Sequence, residues 1–202
     1  MVTGTLKNQI DRIWEMFWTG GITNPLSVIE QITYLLFIKG LDEVETTREK
    51  EAVVLGTEFE PLFPEDKQHL RWNQFKNFPA EKMYDVVSQE VFPFIKDLNR
   101  GKSTAYTKFM KDAIFIIPTP QLLERVVTSL SALPLEDRDA KGDLYEYLLS
   151  KISQSGTNGQ FRTPRHIIRM MVGLTKPTPE DKIVDPAAGT AGFLLMAGEY
   201  LR

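Results

Sequence analysis

Hydrophobic residues recur at helical spacing along the first three quarters of the chain and predict a succession of helices. The first apolar stripe occupies one helical face before Gly20-Gly21 and consists of Leu6, Ile10, Ile13, Trp14 and Phe17. Asn24-Pro25 and Thr119-Pro120 each combine an N-cap residue with a proline suited to a first turn, so each predicts a helix start. The helix after Pro25 is expected to reach about Val44.

The stretch that follows is acidic and polar, from Asp42 to Glu51, and is interpreted as a solvated helix end and loop. Prolines punctuate residues 56–79, which predicts a long connection anchored on the helical core by its scattered aromatic residues. A further helix is expected from Pro79 and should end or kink at Pro93. Another helix is predicted over residues 139–153.

The character of the sequence changes at about residue 155. Thr163-Pro164 predicts a helix start, Lys182-Ile183-Val184 a short strand, residues 185–192 a small-residue loop, and Phe193 the beginning of a last helix. Helix, strand, loop and helix open an α/β domain. The predicted fold is therefore mainly α, with a helical domain over residues 1–155 and the truncated start of an α/β domain over residues 156–202. Since one strand forms no stable sheet, this last part either continues in the native protein or docks on the helical domain.

Composition narrows the class of protein. Among 202 residues, 27 acidic side chains exceed 24 basic ones, whereas a protein that binds DNA alone usually has a basic excess. Phosphate affinity would then come from a local patch, a partner or further sequence. The absence of cysteine excludes disulfides and cysteine-based zinc sites, and no cluster of metal ligands is visible. No signal peptide or membrane-length apolar run is present, so we expect a cytoplasmic protein without a membrane partner.

The loop after the predicted strand has the composition of a ligand site. Gly189 and Gly192 would let the backbone approach a ligand and accept positive φ, while Asp185 offers a carboxylate to a cationic group. This combination suits a zwitterionic amino-acid moiety better than a pyrophosphate, and the glycine pattern of nicotinamide-binding domains is missing. The alternative is an ordinary turn initiated by Asp185-Pro186.

A second candidate segment runs from Gly159 to Arg165. Thr163 as N-cap and Pro164 in the first helical position explain it structurally. The functional alternative is that this helix start and the Thr163 hydroxyl face the same ligand as the loop.

The two segments together resemble the cofactor motifs of gamma-class amino-methylating DNA methyltransferases. Gly159-Gln160-Phe161-Arg162-Thr163-Pro164 is similar to motif X, whose usual form is Gly-Gln-Phe-Tyr-Thr-Pro. Residues 185–194, Asp-Pro-Ala-Ala-Gly-Thr-Ala-Gly-Phe-Leu, are similar to motif I, usually Asp-Pro-Ala-Cys-Gly-Thr-Gly-Gly-Phe-Leu. Both stand in the family's order and spacing.

Two upstream segments, Ile32 to Lys39 and Gly142 to Leu149, resemble the modification subunit of type I restriction-modification systems. The resemblance implies a helical N-terminal domain before a Rossmann-like, S-adenosylmethionine-dependent and adenine-specific DNA methyltransferase domain. It also implies a prokaryotic source and four partners: a specificity subunit, a restriction subunit, a second modification subunit and double-stranded DNA.

The resemblance further implies which residues line the S-adenosylmethionine pocket. Thr163 would help to hold the methionine carboxylate, and Asp185 would lie near the methionine amine. Arg162 replaces the usual aromatic residue, Ala188 replaces cysteine and Ala191 replaces glycine, although both alanines keep the loop small. The implied pocket residues are Gln160, Phe161, Arg162, Thr163, Pro164, Arg165, Asp185, Gly189, Thr190, Ala191 and Gly192.

The family's catalytic tetrapeptide, Asn/Asp-Pro-Pro-Tyr/Phe, is absent from the 202 residues, so no catalytic residue is assigned. We therefore predict that residues 1–202 alone transfer no methyl group. The rival interpretation is a non-catalytic helical module for assembly or DNA contact. Arg162, Arg165, His166 and Arg169 form a basic cluster that either contacts DNA or is a solvated face.

Overall fold

The structure is a computed structural model that describes residues 4–98, 110, 113–135, 138–154, 163–188 and 191–201. These residues form short and long helices, with a 3-10 helix at Glu65–Leu70 and a π-helical turn at Val87–Val91. The α-helices are α1 Gly4–Thr19, α2 Pro25–Leu55, α3 Trp72–Phe75, α4 Ala80–Val86, α5 Phe92–Asp97, α6 Pro120–Ser131, α7 Arg138–Gln154, α8 Arg165–Thr175 and α9 Gly192–Tyr200.

The predicted apolar stripe of α1 lies in the main hydrophobic core. Ile10, Ile13 and Phe17 are buried there, and Leu6 and Trp14 pack against its edge. The core also contains apolar residues of α2, α4, α6 and α7. Gly20 directly follows α1 and leaves room for α6. A Cβ at this position would lie 2.4 Å from a methyl group of Leu122 on α6.

Both predicted helix starts are confirmed. Asn24 Oδ1 accepts hydrogen bonds from the Leu26 amide at 2.9 Å and the Ser27 amide at 3.5 Å, before α2. Thr119 Oγ1 accepts one from the Leu122 amide at 3.3 Å, before α6. Each cap satisfies amide groups that have no partner inside the helix.

The interpretation of residues 42–51 as a solvated helix end and loop is wrong. Helix α2 continues to Leu55 and ends on Gly56 in the left-handed conformation. Asp42 and Glu45, 1% and 0% exposed, lie inside the protein. Glu45 accepts hydrogen bonds from the Leu62 and Phe63 amides, both at 3.1 Å.

Arg71 completes a polar network between α2 and the connection that follows it. Its Nε donates to Asp42 Oδ1 at 2.6 Å, and its terminal nitrogens donate to Glu49 Oε1 at 2.6 Å and Thr46 Oγ1 at 2.9 Å. Asp42 Oδ2 accepts from the Asn73 amide at 2.9 Å. Burial lowers the pKa of Arg71, but the hydrogen bonds to Glu49 and Asp42 outweigh it and raise that pKa overall.

Aromatic residues also anchor this connection, as predicted. Phe63, Trp72 and Phe75 are buried in the main core. Pro93, in contrast, does not end the helical path. The π-helical turn before it widens the backbone, which relieves the clash of the proline ring with the preceding turn, and α5 continues with Pro93 in its first turn.

The predicted strand Lys182-Ile183-Val184 is wrong. These residues lie between turns without regular structure, and Val184 is 72% exposed. No strand lies within the described residues, so the backbone groups of residues 182–184 have no neighbouring strand with which to pair. Helices α8 and α9 instead pack on each other through a second apolar cluster, Ile168, Val172, Met196 and Ala197.

Asp11 on α1 joins the last helix of the main core, α7. Its Oδ1 accepts from the Tyr147 hydroxyl at 2.5 Å and pairs with Lys151 Nζ at 2.6 Å, while its Oδ2 pairs with Lys7 Nζ at 3.0 Å. Burial raises the pKa of Asp11, but the hydrogen bonds from Lys151, Tyr147 and Lys7 outweigh it and bring the pKa down to about 2.

The buried carboxylate of Glu45 gives a first test. Glu45→Gln leaves one oxygen to accept a hydrogen bond but turns an amino group toward the other backbone amide, so one buried amide loses its partner. We expect the free energy of unfolding in urea to fall by about 1–3 kcal/mol. Glu51→Gln, on the exposed end of the same helix, should change it by less than about 0.5 kcal/mol. Equal effects of the two substitutions would contradict the anchoring role of Glu45.

The lowered pKa of Asp11 gives a second test. Its contribution to stability is fully present above the carboxyl pKa in the unfolded chain, about 4, and is lost as pH falls through about 2. The difference in unfolding free energy between the wild type and Asp11→Asn should therefore be constant from pH 7 to pH 5. It should shrink toward pH 2, as measured by urea titrations at each pH. A difference independent of pH would count against this ion cluster.

Candidate cofactor site

Helix α8 begins one residue later than the sequence predicts. Pro164 precedes it as the capping residue, with φ −57° and ψ 140°, and no side chain caps the helix. The Pro164 carbonyl accepts hydrogen bonds from the Ile167 and Ile168 amides at 3.0 and 3.1 Å. The prediction that Thr163 is the N-cap is therefore wrong. Thr163 therefore lies one residue further from the helix than Asn24 and Thr119 lie from theirs, and it is exposed.

The loop before α9 places its left-handed residue at an alanine. Ala191 has φ 60° and precedes α9 as capping residue, and its amide donates to the Ala188 carbonyl at 2.6 Å. The expectation of positive φ at Gly192 is wrong, because Gly192 is already the first residue of the helix. Its lack of a side chain serves packing, since a Cβ there would lie 3.2 Å from Ile168 Cδ1 on α8.

Asp185 opens this loop with a local turn. Its Oδ1 accepts from the Ala187 amide at 3.0 Å, which is the turn-initiating role weighed for the Asp185-Pro186 pair. The residue is half-buried and faces the cleft described next. The turn and a ligand-facing position therefore coexist in Asp185.

A cleft of about 460 Å³ brings the two sequence segments together. Of the predicted pocket residues, Thr163, Arg165, Asp185 and Gly192 line it. Pro164 and Ala191 are next to lining residues without lining it themselves. The remaining ones, Gln160, Phe161, Arg162, Gly189 and Thr190, lie outside the described residues.

Helix α7 forms a wall of the cleft that the pocket prediction missed. Gly142, Tyr145 and Glu146 face the cleft at the i, i+3, i+4 spacing of one helical side. They belong to a segment that the family resemblance singles out, so that segment was the available signal. Burial raises the pKa of the Tyr145 hydroxyl, against the effect of its hydrogen bond with the Thr33 side chain on α2.

Arg165, a member of the basic cluster considered for DNA contact, lies against α7. Its Nε lies 3.6 Å from Glu146 Oε1, and its guanidinium lies over Gly142 on α7. Among the described lining residues, Glu146, Asp185 and Glu199 carry negative charge and Arg165 positive charge. This excess of carboxylates favours a ligand with a cationic group.

Two other kinds of feature are absent from the described residues: a metal-binding cluster and a membrane-spanning helix. Among these residues, no group of three or more histidine or acidic residues could hold a metal ion. None of the described helices is long and apolar enough to cross a membrane.

Two family models match successive parts of the chain. The family model described as HsdM N-terminal domain matches residues 6–130. The chain belongs to this family. A second model, N-6 DNA Methylase, matches residues 136–202, which include α7 and the cleft. The expected order, a helical N-terminal domain followed by the start of a methylase domain, is confirmed.

Similar proteins are methylase subunits of type I restriction enzymes. The chain is 39% identical over 209 residues to the StySPI methylase subunit of Salmonella potsdam, covering 96% of the chain and 35% of that protein. It is 26% identical over 194 residues to the EcoEI methylase subunit of Escherichia coli, covering 90% of the chain and 38% of that protein. The chain thus spans little more than a third of the length of these relatives.

A solved structure shares the fold. The modification subunit of a putative type I restriction enzyme from Vibrio vulnificus superposes with a TM-score of 0.74 at 23% identity, covering 97% of this chain and 45% of that one. A chain of a type I R-M system, solved to explain complex assembly, gives a TM-score of 0.71, also at 23% identity, over 98% and 40%.

The left-handed alanine gives a third test. Ala191→Gly should relieve backbone strain at φ 60° and stabilise the start of α9 by up to about 1 kcal/mol, since glycine adopts this conformation freely. Hydrogen exchange of the amides in residues 192–200 measures the free energy of opening of α9, which should rise in Ala191→Gly. Lys176→Gly, at the other described non-glycine residue with positive φ, is the matched control and should protect the end of α8 instead. Faster exchange in α9 of Ala191→Gly would contradict the assignment of strain.

Proposed function

We propose that the chain is the N-terminal part of a type I DNA methylase subunit and supplies one side of its S-adenosylmethionine site. One observation carries the proposal: the cleft brings Thr163 and Arg165 from one cofactor-like segment next to Asp185 and Gly192 from the other. In sequence these segments are separated by a whole helix, α8. The packing of α8 on α9 brings the two ends of this sequence together.

The residues of the cleft fit this cofactor. A volume of about 460 Å³ lies within the range of small-molecule sites. Asp185 and the carboxylate-rich lining suit a cationic amine, and the exposed Thr163 hydroxyl suits a carboxylate. Ile168, Phe193 and Met196 offer apolar surface for the rest of the ligand.

S-adenosylmethionine, when bound, supplies a methyl group on a positively charged sulfur. The described residues would bind and orient it: Asp185 by its negative charge, Thr163 by its hydroxyl, and the backbone near Gly192 by close approach. Transfer to the exocyclic amine of adenine is proposed for a longer protein like the relatives, because the 202 residues contain no Asn/Asp-Pro-Pro-Tyr/Phe tetrapeptide to hold the flipped base.

Exposed apolar residues support the presence of further domain structure in such a protein. Met170, Leu174, Ile183 and Val184 are exposed on α8 or in the loop after it. The sheet of an α/β methyltransferase domain would cover apolar residues of this kind. We further propose the specificity and restriction subunits, a second modification subunit and double-stranded DNA as partners, in line with the type I relatives.

Calorimetric titration with S-adenosylmethionine tests cofactor binding by the 202-residue chain. Asp185→Asn keeps the oxygen that accepts the Ala187 amide but removes the charge, so we expect binding to weaken by about tenfold or more. Asp181→Asn removes a nearby charge outside the cleft, where Asp181 accepts hydrogen bonds from Thr178, and should leave affinity unchanged.

Absence of binding heat at millimolar ligand would overturn the proposed site in this chain. The alternative of a helical assembly module would then remain, since the helical domain has an extensive core of its own. Equal weakening by Asp185→Asn and Asp181→Asn would contradict the specific role of Asp185.

A further inference from the structure

The helices that line the cleft belong to two separate apolar clusters. The larger one contains Leu144 and Leu148 of α7, and the smaller one joins α8 to α9. Arg165, the first residue of α8, spans from the smaller cluster to α7. Its guanidinium group lies against Gly142 and beside Glu146.

Gly142 determines how closely Arg165 approaches α7. A Cβ on Gly142 would lie 2.3–2.4 Å from three atoms of the guanidinium group, so a side chain at this position would displace the end of Arg165 from α7. One helical turn further on, Glu146 Oε1 lies 3.6 Å from Arg165 Nε. The guanidinium therefore rests on bare backbone with a carboxylate beside it.

We infer that Glu146, with Gly142, forms a latch that holds the start of α8 against α7. Glu146 acts as a positioning residue: it orients α8 through Arg165, and α8 is preceded by Thr163 at the cleft. The consequence for cofactor binding rests on the proposed function. The latch itself does not, because it is a contact between two helices of the protein without ligand.

Distance measurements between α2 and α8 test the latch directly. The chain contains no cysteine, so Val54→Cys and Leu174→Cys, both on exposed positions, accept nitroxide labels at two defined sites. Double electron–electron resonance then reports the distribution of distances without any ligand. We expect a narrow distribution in the wild-type background, and Glu146→Gln should raise the population of undocked distances by about threefold, as expected for a partly exposed ion pair.

Three further variants make the result decisive. Gly142→Ala should broaden the distribution in the same way while raising the helix content of α7, which separates loss of docking from misfolding. Glu199→Gln, which removes a carboxylate from the same cleft, should leave the distribution unchanged. Exchanging the charges in Glu146→Arg/Arg165→Glu should restore docking relative to either single substitution. A narrow distribution in both Glu146→Gln and Gly142→Ala would overturn the latch.

Calorimetry separates this inference from the proposed function. If the wild-type chain binds S-adenosylmethionine, Gly142→Ala, which leaves the carboxylates of the cleft in place, should weaken binding by the factor by which it reduces the docked fraction. Unchanged affinity in a variant with a reduced docked fraction would show that the contact between α7 and α8 does not position the cofactor site. If no variant binds the cofactor, the proposed function fails, and the distance distributions alone decide whether the latch exists.

Discussion

The fold depends on a long helix that buries polar side chains to satisfy the backbone of its neighbours. Along α2, Gln31, Asp42 and Glu45 are buried. Gln31 donates a hydrogen bond to the Ile114 carbonyl and accepts one from the Ile116 amide. It thus provides the two hydrogen bonds that a neighbouring strand would otherwise make with this segment. Glu45 likewise accepts hydrogen bonds from the amides of Leu62 and Phe63. Buried backbone groups without hydrogen-bond partners are costly, so these polar side chains of α2 allow irregular chain to pack on the core.

Sequence patterns predicted the features that are local. The caps at Asn24 and Thr119 and the stripe of α1 depend on neighbours within about one turn or on a single helical face, and all appear in the structure. The end of α2 was misjudged because a run of charges indicates solvent unless partners arrive from elsewhere. Arg71, 29 residues after Asp42, is such a partner. No local signal connects the two residues before the chain has folded.

The candidate site shows the same division. Two segments were recognised from their residues, and four of their six described members, Thr163, Arg165, Asp185 and Gly192, line one cleft. The strand at residues 182–184 was not formed, because a strand is defined by pairing and the described residues provide no second strand. Ala191 has positive φ and Gly192 does not. A glycine in the sequence shows where positive φ would be tolerated, but it does not show where the helix begins.

Helix α7 explains why core and cleft belong to one physical system. Its Tyr147 and Lys151 bind Asp11 on α1, its Tyr145 hydroxyl bonds Thr33 on α2, and its Glu146 faces Arg165 on α8. By packing it is part of the helical core, yet it falls in the match to the methylase family. A ligand that binds between α7 and the loop before α9 must therefore favour the docked arrangement of both parts. By linkage, a contact that holds α7 in place favours the ligand as far as it raises the population of the docked arrangement. The cofactor affinity of such a site is then set partly by residues such as Asp11 that never touch the ligand.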